Sequence, residues 1–116
     1  MHKIIGVWTS ALVLMIGCGR SPHHKADDLI HVLVSILPQR QFVEAVGGPA
    51  VSVHVLIPPG ASPATYDPKP NDLIRVEEAE VYFRIGHIGF EQSHLSKIES
   101  LNPDMKIVDT SQGIEL

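Results

Sequence analysis

His87 is the side chain best placed to do chemistry in this chain. It lies in the stretch Ile85-Gly-His-Ile-Gly-Phe-Glu91, between two glycines whose missing Cβ atoms let backbone approach a ligand closely. A neutral imidazole offers one lone pair to an ion such as Zn²⁺ or Mn²⁺ while its other nitrogen is held by a hydrogen bond. The same histidine would equally serve to cap the helix that follows, or pack within its loop. Glu91, four residues on, falls in the first turn of that helix, where the dipole favours a carboxylate. Alternatively it orients His87 by taking a hydrogen bond from the ring.

A second group sits in Ile57-Pro-Pro-Gly-Ala-Ser-Pro-Ala-Thr-Tyr-Asp-Pro-Lys-Pro-Asn-Asp-Leu73. Each proline fixes its own φ and pushes the residue before it toward extended backbone, so this loop is stiff. Stiff loops on a rigid scaffold are where binding residues tend to sit. Asp67 either turns back on its own downstream backbone before Pro68, as Asx residues do, or offers a carboxylate oxygen to a metal. Tyr66 packs, or donates a hydrogen bond that steadies a neighbouring ligand.

The other histidines weigh less. His23-His24 would pick up metal only transiently, and His31 and His54 read as satisfied strand residues. His94 falls on the outer side of the third helix by its spacing from Leu95 and Ile98. It is about two helical turns from His87, too far to share one ion. No metalloprotease helix, nucleophile elbow or phosphate-cradling loop occurs, so the residues point to a binding protein and not an enzyme.

Alternating elements must position these loops. Residues 31–37 form a nearly continuous apolar run, as in a strand buried on both faces of a parallel sheet. Residues 39–46 carry Phe42, Val43 and Val46 at helical spacing, and Gly47-Gly48 stops them. Residues 51–57 read as a second strand. After the proline loop, Asn71 is the expected cap of a helix with Leu73, Ile74 and Val76 inward and Asp72 near its positive end. Residues 80–84 make a third strand. A third helix runs from Ile88 or Phe90 to Leu101, with Leu95, Ile98 and Leu101 on one stripe, and residues 105–109 make a fourth strand. The order βαβαβαβ is that of an α/β fold with a parallel sheet and right-handed crossovers. In such sheets ligands bind beyond the carboxyl ends of the strands, where both loops lie.

The N-terminal residues read differently. Lys3 followed by the largely apolar residues 4–16 is a targeting signal over residues 1–17, too short to span a bilayer, which takes about 20 residues. It ends in Leu14-Met-Ile-Gly-Cys18, which resembles a bacterial lipobox, so Cys18 is either the lipid-attachment residue or a free thiol beside an uncleaved anchor. As the sole cysteine it excludes an internal disulfide. Acyl chains there would hold the protein to a membrane surface at about 0.8 kcal/mol per buried methylene. Residues 18–30 are polar and aperiodic, a flexible tether. A net charge of −4, with no basic stripe, argues against nucleic acid as a partner.

The proline loop resembles that of the zinc/manganese-type periplasmic substrate-binding proteins of ABC transporters, which reads roughly Pro-Gly-Ala-x-Pro-His-x-Tyr-Glu-Pro-x-Pro. Val34-Ser-Ile-Leu-Pro38, Phe42-Val-Glu-Ala-Val-Gly-Gly48, Val55-Leu-Ile-Pro-Pro-Gly-Ala61, Ala79-Glu-Val-Tyr-Phe83 and Val108-Asp-Thr-Ser111 extend the likeness in order. The resemblance implies two α/β lobes joined by a long helix, with metal held between them. Residues 31–116 would be part of the N-terminal lobe, and the family's remaining ligands would fall beyond Leu116. The loop histidine of that family is its first metal ligand, and here the position is Ala64, which makes His87 the candidate for compensation. The implied role is metal uptake. Zn²⁺ or Mn²⁺ would be the cargo, a membrane permease the partner, and the extracytoplasmic face of the bacterial envelope the location. Two rivals follow from the same likeness: a lipid-anchored adhesion or interaction protein, insensitive to chelators, and a truncated gene copy without function.

Overall fold

The computed structural model describes residues 28–115. The signal, Cys18 and most of the tether therefore lie outside the described residues. Four strands alternate with three helices: β1 (Ile30–Val34), α1 (Leu37–Gly47), β2 (Val51–Val55), α2 (Pro70–Glu78), β3 (Val81–Arg84), α3 (Gly89–Leu101) and β4 (Lys106–Asp109), with a 3₁₀ turn (Gly48–Ala50) between α1 and β2. All pairings are parallel and the order across the sheet is β2-β1-β3-β4. The expected parallel α/β fold holds, and β1 lies inside the sheet with a neighbour on each edge.

Boundaries moved for local reasons. The first strand is shorter than the apolar run, because Leu37 and Pro38 open α1. A proline in the first helical turn costs nothing, since its missing N–H would have had no intrahelical partner. Gln39 then reaches back, its side-chain oxygen accepting from the Ser35 and Ile36 amides at 3.0 and 3.2 Å. Asn71 is not the cap of α2. The helix starts two residues earlier than that cap implies, at Pro70, and Asp72 does the capping work by accepting the Lys69 amide at 2.9 Å. Ile74, expected inward, is half exposed, whereas Val76 is buried.

Alternation along the strands sends two sets of residues to two faces. Leu33 and Tyr82, paired across β1 and β3, point to the face covered by α2 and α3. There they join Leu56, Ile57, Val76, Phe90, Ile98 and Met105 in the core. Asn102 closes the far end of this layer. Its amide donates to the Val76 and Ala79 carbonyls at 2.9 and 2.8 Å, joining the C-terminus of α3 to that of α2.

The opposite face carries the valines of β2 and Val32, Val81 and Phe83, and among the described residues α1 is the helix that lies over it. Val46 and Phe42 of that helix are 92 and 74 % exposed, and no residue of α1 is fully buried. An open apolar groove runs between α1 and the sheet, lined by Val32, Val43, Val81 and Phe83 among others. Helical periodicity in residues 39–46 gave the helix correctly, but periodicity reports a face and not what covers it.

Candidate metal-binding loops at the carboxyl edge

The β3–α3 loop is held from within by Glu91. This carboxylate is 1 % exposed and accepts from the Ile85 amide at 2.7 Å, the Gly86 amide at 2.6 Å and the Ser35 hydroxyl. Ser35 in turn meets the Tyr82 hydroxyl at 2.8 Å, which completes a buried polar row from Tyr82 on β3 through Ser35, just past β1, to Glu91 on α3. Burial is the main reason the Tyr82 phenol is pushed above its ordinary range. Glu91 thus engages the backbone that carries His87, not the His87 ring, which is exposed. Gly86 makes the path possible: its φ is +105°, and an added Cβ would run into the Ser111 hydroxyl and the Asp109 carboxylate.

Asp109 is itself strongly engaged. It accepts from the Ser111 hydroxyl at 2.6 Å, from Arg84 Nη2 at 2.6 Å and Nε at 3.0 Å, and from the Ser111 amide at 2.9 Å. The Ser111 hydroxyl first, then Arg84, hold its carboxyl well below the usual range. A carboxyl with a depressed folded pKa releases protons on folding, so its contribution is present above the ordinary carboxylate value of about 4 and is lost as pH falls below it. Urea unfolding at pH 7 and pH 3 is expected to show a stability loss on acidification that Asp109→Asn reduces. An unchanged pH dependence in the variant would remove Asp109 as a source of acid sensitivity.

The proline loop is tied down at three points. Asp72 gathers the first: besides the Lys69 amide, it accepts the Tyr66 hydroxyl at 2.9 Å and faces His54 Nε2 at 3.2 Å. Desolvation, then the Asp72 hydrogen bond, raises the Tyr66 phenol pKa. Second, the Phe90 amide donates to the Pro63 carbonyl at 2.8 Å. Beside that bond, a Cβ on Gly89 would lie 3.1 Å from the Ala64 carbonyl oxygen and 3.2 Å from its Cα. Third, Asp67 Oδ1 lies 3.2 Å from His94 Nε2. Instead of closing an Asx-turn, Asp67 reaches across to α3. His94 is correspondingly not on an outer surface: its ring stacks on Phe90 with centroids 5.0 Å apart, and its Nδ1 is 3.0 Å from the Phe90 carbonyl.

The two loops therefore meet. Ala64 abuts Gly89, two residues beyond His87, while Tyr66, Asp67, His94 and Phe90 form the joint beside it. Among the described residues, no three side chains of the His, Cys, Asp or Glu type come together as a complete metal cage. Sequence reasoning missed Ser35 and the Asp72–His54 pair. A lone serine in an otherwise apolar strand was the only visible trace of the first, and the second depends on a contact between β2 and α2.

A parallel α/β lobe with its candidate donors on loops at the carboxyl edge is the architecture of the two-lobed solute-binding proteins. The chain belongs to the family described as zinc-uptake complex component A, periplasmic, whose model matches residues 32–116. A crystal structure of ZnuA is 46% identical with a TM-score of 0.71, over 76% of this chain and 34% of that one. A Mn-bound periplasmic metal binding protein from Candidatus Liberibacter asiaticus shares the fold at 21% identity and a TM-score of 0.65, over 72% of this chain and 31% of that one. The manganese-binding lipoprotein MntA of Halalkalibacterium halodurans is 25% identical over 119 residues, 99% of this chain and 39% of that protein. The chain thus spans between 31% and 39% of the length of these relatives.

Proposed function

We propose that this chain supplies part of the metal receptor of an ABC-type uptake system, with Zn²⁺ or Mn²⁺ as cargo and no catalytic role. The observation that carries the reading is the seam between the loops. The Phe90–Pro63 hydrogen bond and the Gly89–Ala64 contact bring the position of the family's loop histidine against the loop that bears His87. His87 is the nitrogen donor this lobe presents, and Glu91 fixes the backbone on which it sits. Tyr66, through Asp72, steadies the proline loop, from which Asp67 offers a carboxylate oxygen on the side of His94. A closed site needs more donors than these, since tightly held Zn²⁺ is commonly four-coordinate. Residues 1–17 act as a lipoprotein signal, residues 18–30 as a tether, and Cys18 as the lipid-bearing residue. Together they keep residues 31–116 at the extracytoplasmic membrane surface beside a permease. Adhesion draws no support from the relatives.

Titration of the purified chain with Zn²⁺ and Mn²⁺ by calorimetry tests the assignment. His87→Ala is expected to weaken binding by about tenfold, or about 1.4 kcal/mol, and Ala64→His to strengthen it. Binding unaltered by His87→Ala would remove His87 from the site.

A further inference from the structure

We infer that the buried Ser35 is a positioning residue for His87, because it ties both candidate loops to the end of β1. The inference rests on the reading of His87 as a metal donor. Ser35 is itself fixed through backbone and side chain. Its amide donates to Gln39 Oε1 at 3.0 Å, and its carbonyl accepts the Ile57 amide at 3.0 Å. Its hydroxyl meets Glu91 and Tyr82. Ile57 opens the proline loop, and Glu91 holds the loop that bears His87. One serine thus registers both loops against the sheet.

The bonds that Glu91 accepts are not equivalent. The Ile85 and Gly86 amides lie six and five residues before it, in the same β3–α3 connection. Those two bonds shape the loop but would travel with it. Of the three, the Ser35 bond alone leaves that connection, spanning 56 residues to the end of β1. A carboxylate only accepts, so the Ser35 hydroxyl gives its single hydrogen to Glu91. The Tyr82 hydroxyl is then the donor into Ser35 Oγ, which orients that hydroxyl from β3. His87 follows Gly86 directly in the chain, so a shift of the Gly86 amide carries the imidazole with it. Metal affinity responds to such shifts, because groups behind the ligands orient them and commonly matter by about tenfold or more.

The test joins amide hydrogen exchange with a ZnCl₂ titration of the full chain. Ser35→Ala is expected to speed exchange at the Ile85 and Gly86 amides. It should weaken Zn²⁺ binding by about threefold, half of the His87→Ala effect on a logarithmic scale. In a His87→Ala background the same substitution should leave Zn²⁺ binding unchanged, a coupling that a general loss of stability would not produce. Tyr82→Phe removes a donor and leaves no buried hydrogen unpaired, so the fold tolerates it. It should move both readings the same way by about twofold, and it carries the test by itself if Ser35→Ala does not fold. Zn²⁺ binding unmoved by either variant would overturn the inference, as would equal losses with and without His87. If instead His87→Ala itself leaves binding unchanged, the donor assignment fails and this inference falls with it.

Discussion

Glu91→Ala is expected to cost this fold about 3–5 kcal/mol, because it strips the shared acceptor from several internal donors at about 1–3 kcal/mol each. The carboxylate sits inside the protein with three donors aimed at it: two consecutive backbone amides and the Ser35 hydroxyl. Truncation leaves all three desolvated without an acceptor, at about 1–3 kcal/mol each when no water replaces it. Domains of this kind have total stabilities of about 5–15 kcal/mol, so the variant should be partly unfolded or very easily unfolded. Glu91→Gln keeps one acceptor oxygen but turns an NH₂ toward an amide donor, and should fall between. Urea midpoints of the three proteins decide the matter. A loss below about 1 kcal/mol in the alanine variant would mean that water serves the loop as well as the carboxylate does.

Phe90→Ala is the second large effect, at about 3–5 kcal/mol for a phenylalanine removed from a packed core. The ring is 1 % exposed and touches both halves of the candidate site, standing 6.0 Å from Tyr66 and 5.0 Å from His94 by centroid. Its backbone amide would still reach Pro63, so the loop keeps one tie while losing the surface it packs on. Stability loss should therefore come with faster hydrogen exchange in residues 64–67. A double-mutant cycle with Tyr66→Ala is expected to show coupling of about 0.5–1.5 kcal/mol, the range for aromatic pairs. Additivity of the two substitutions would show that the rings are neighbours without mutual support.

Much of this architecture was legible from pattern. Apolar runs of strand length alternating with helical stripes gave the parallel α/β fold, and the rule about strand ends pointed to both loops. What stayed hidden was pairing across distance. Ser35 and Glu91 are 56 residues apart, and Asp67 and His94 are 27 apart, separations at which no local periodicity carries information. His94 shows the mechanism of the error. Its spacing from Leu95 and Ile98 places it off the main apolar stripe, but the proline loop folds over that flank of α3 and turns an outer position into a joint. The cap of α2 failed more locally: asparagine is a good cap by type, yet Pro70 supplies a ready-made first turn and Asp72 the acceptor.

The placement of β1 between β2 and β3 bears on how the chain assembles as it is made. The first strand synthesised has its partners 21 residues away on one side, at Ile30↔Val51, and 49 on the other, at Val32↔Val81. One edge can be satisfied early, but the second must wait until β3 has emerged, with chain entropy spent on closing the intervening loop before any ladder bond repays it. The polar row anchored on Glu91 forms only after that closure. The surface that gathers the candidate metal donors is therefore built only once β3 and α3 have emerged, on a strand made well before them.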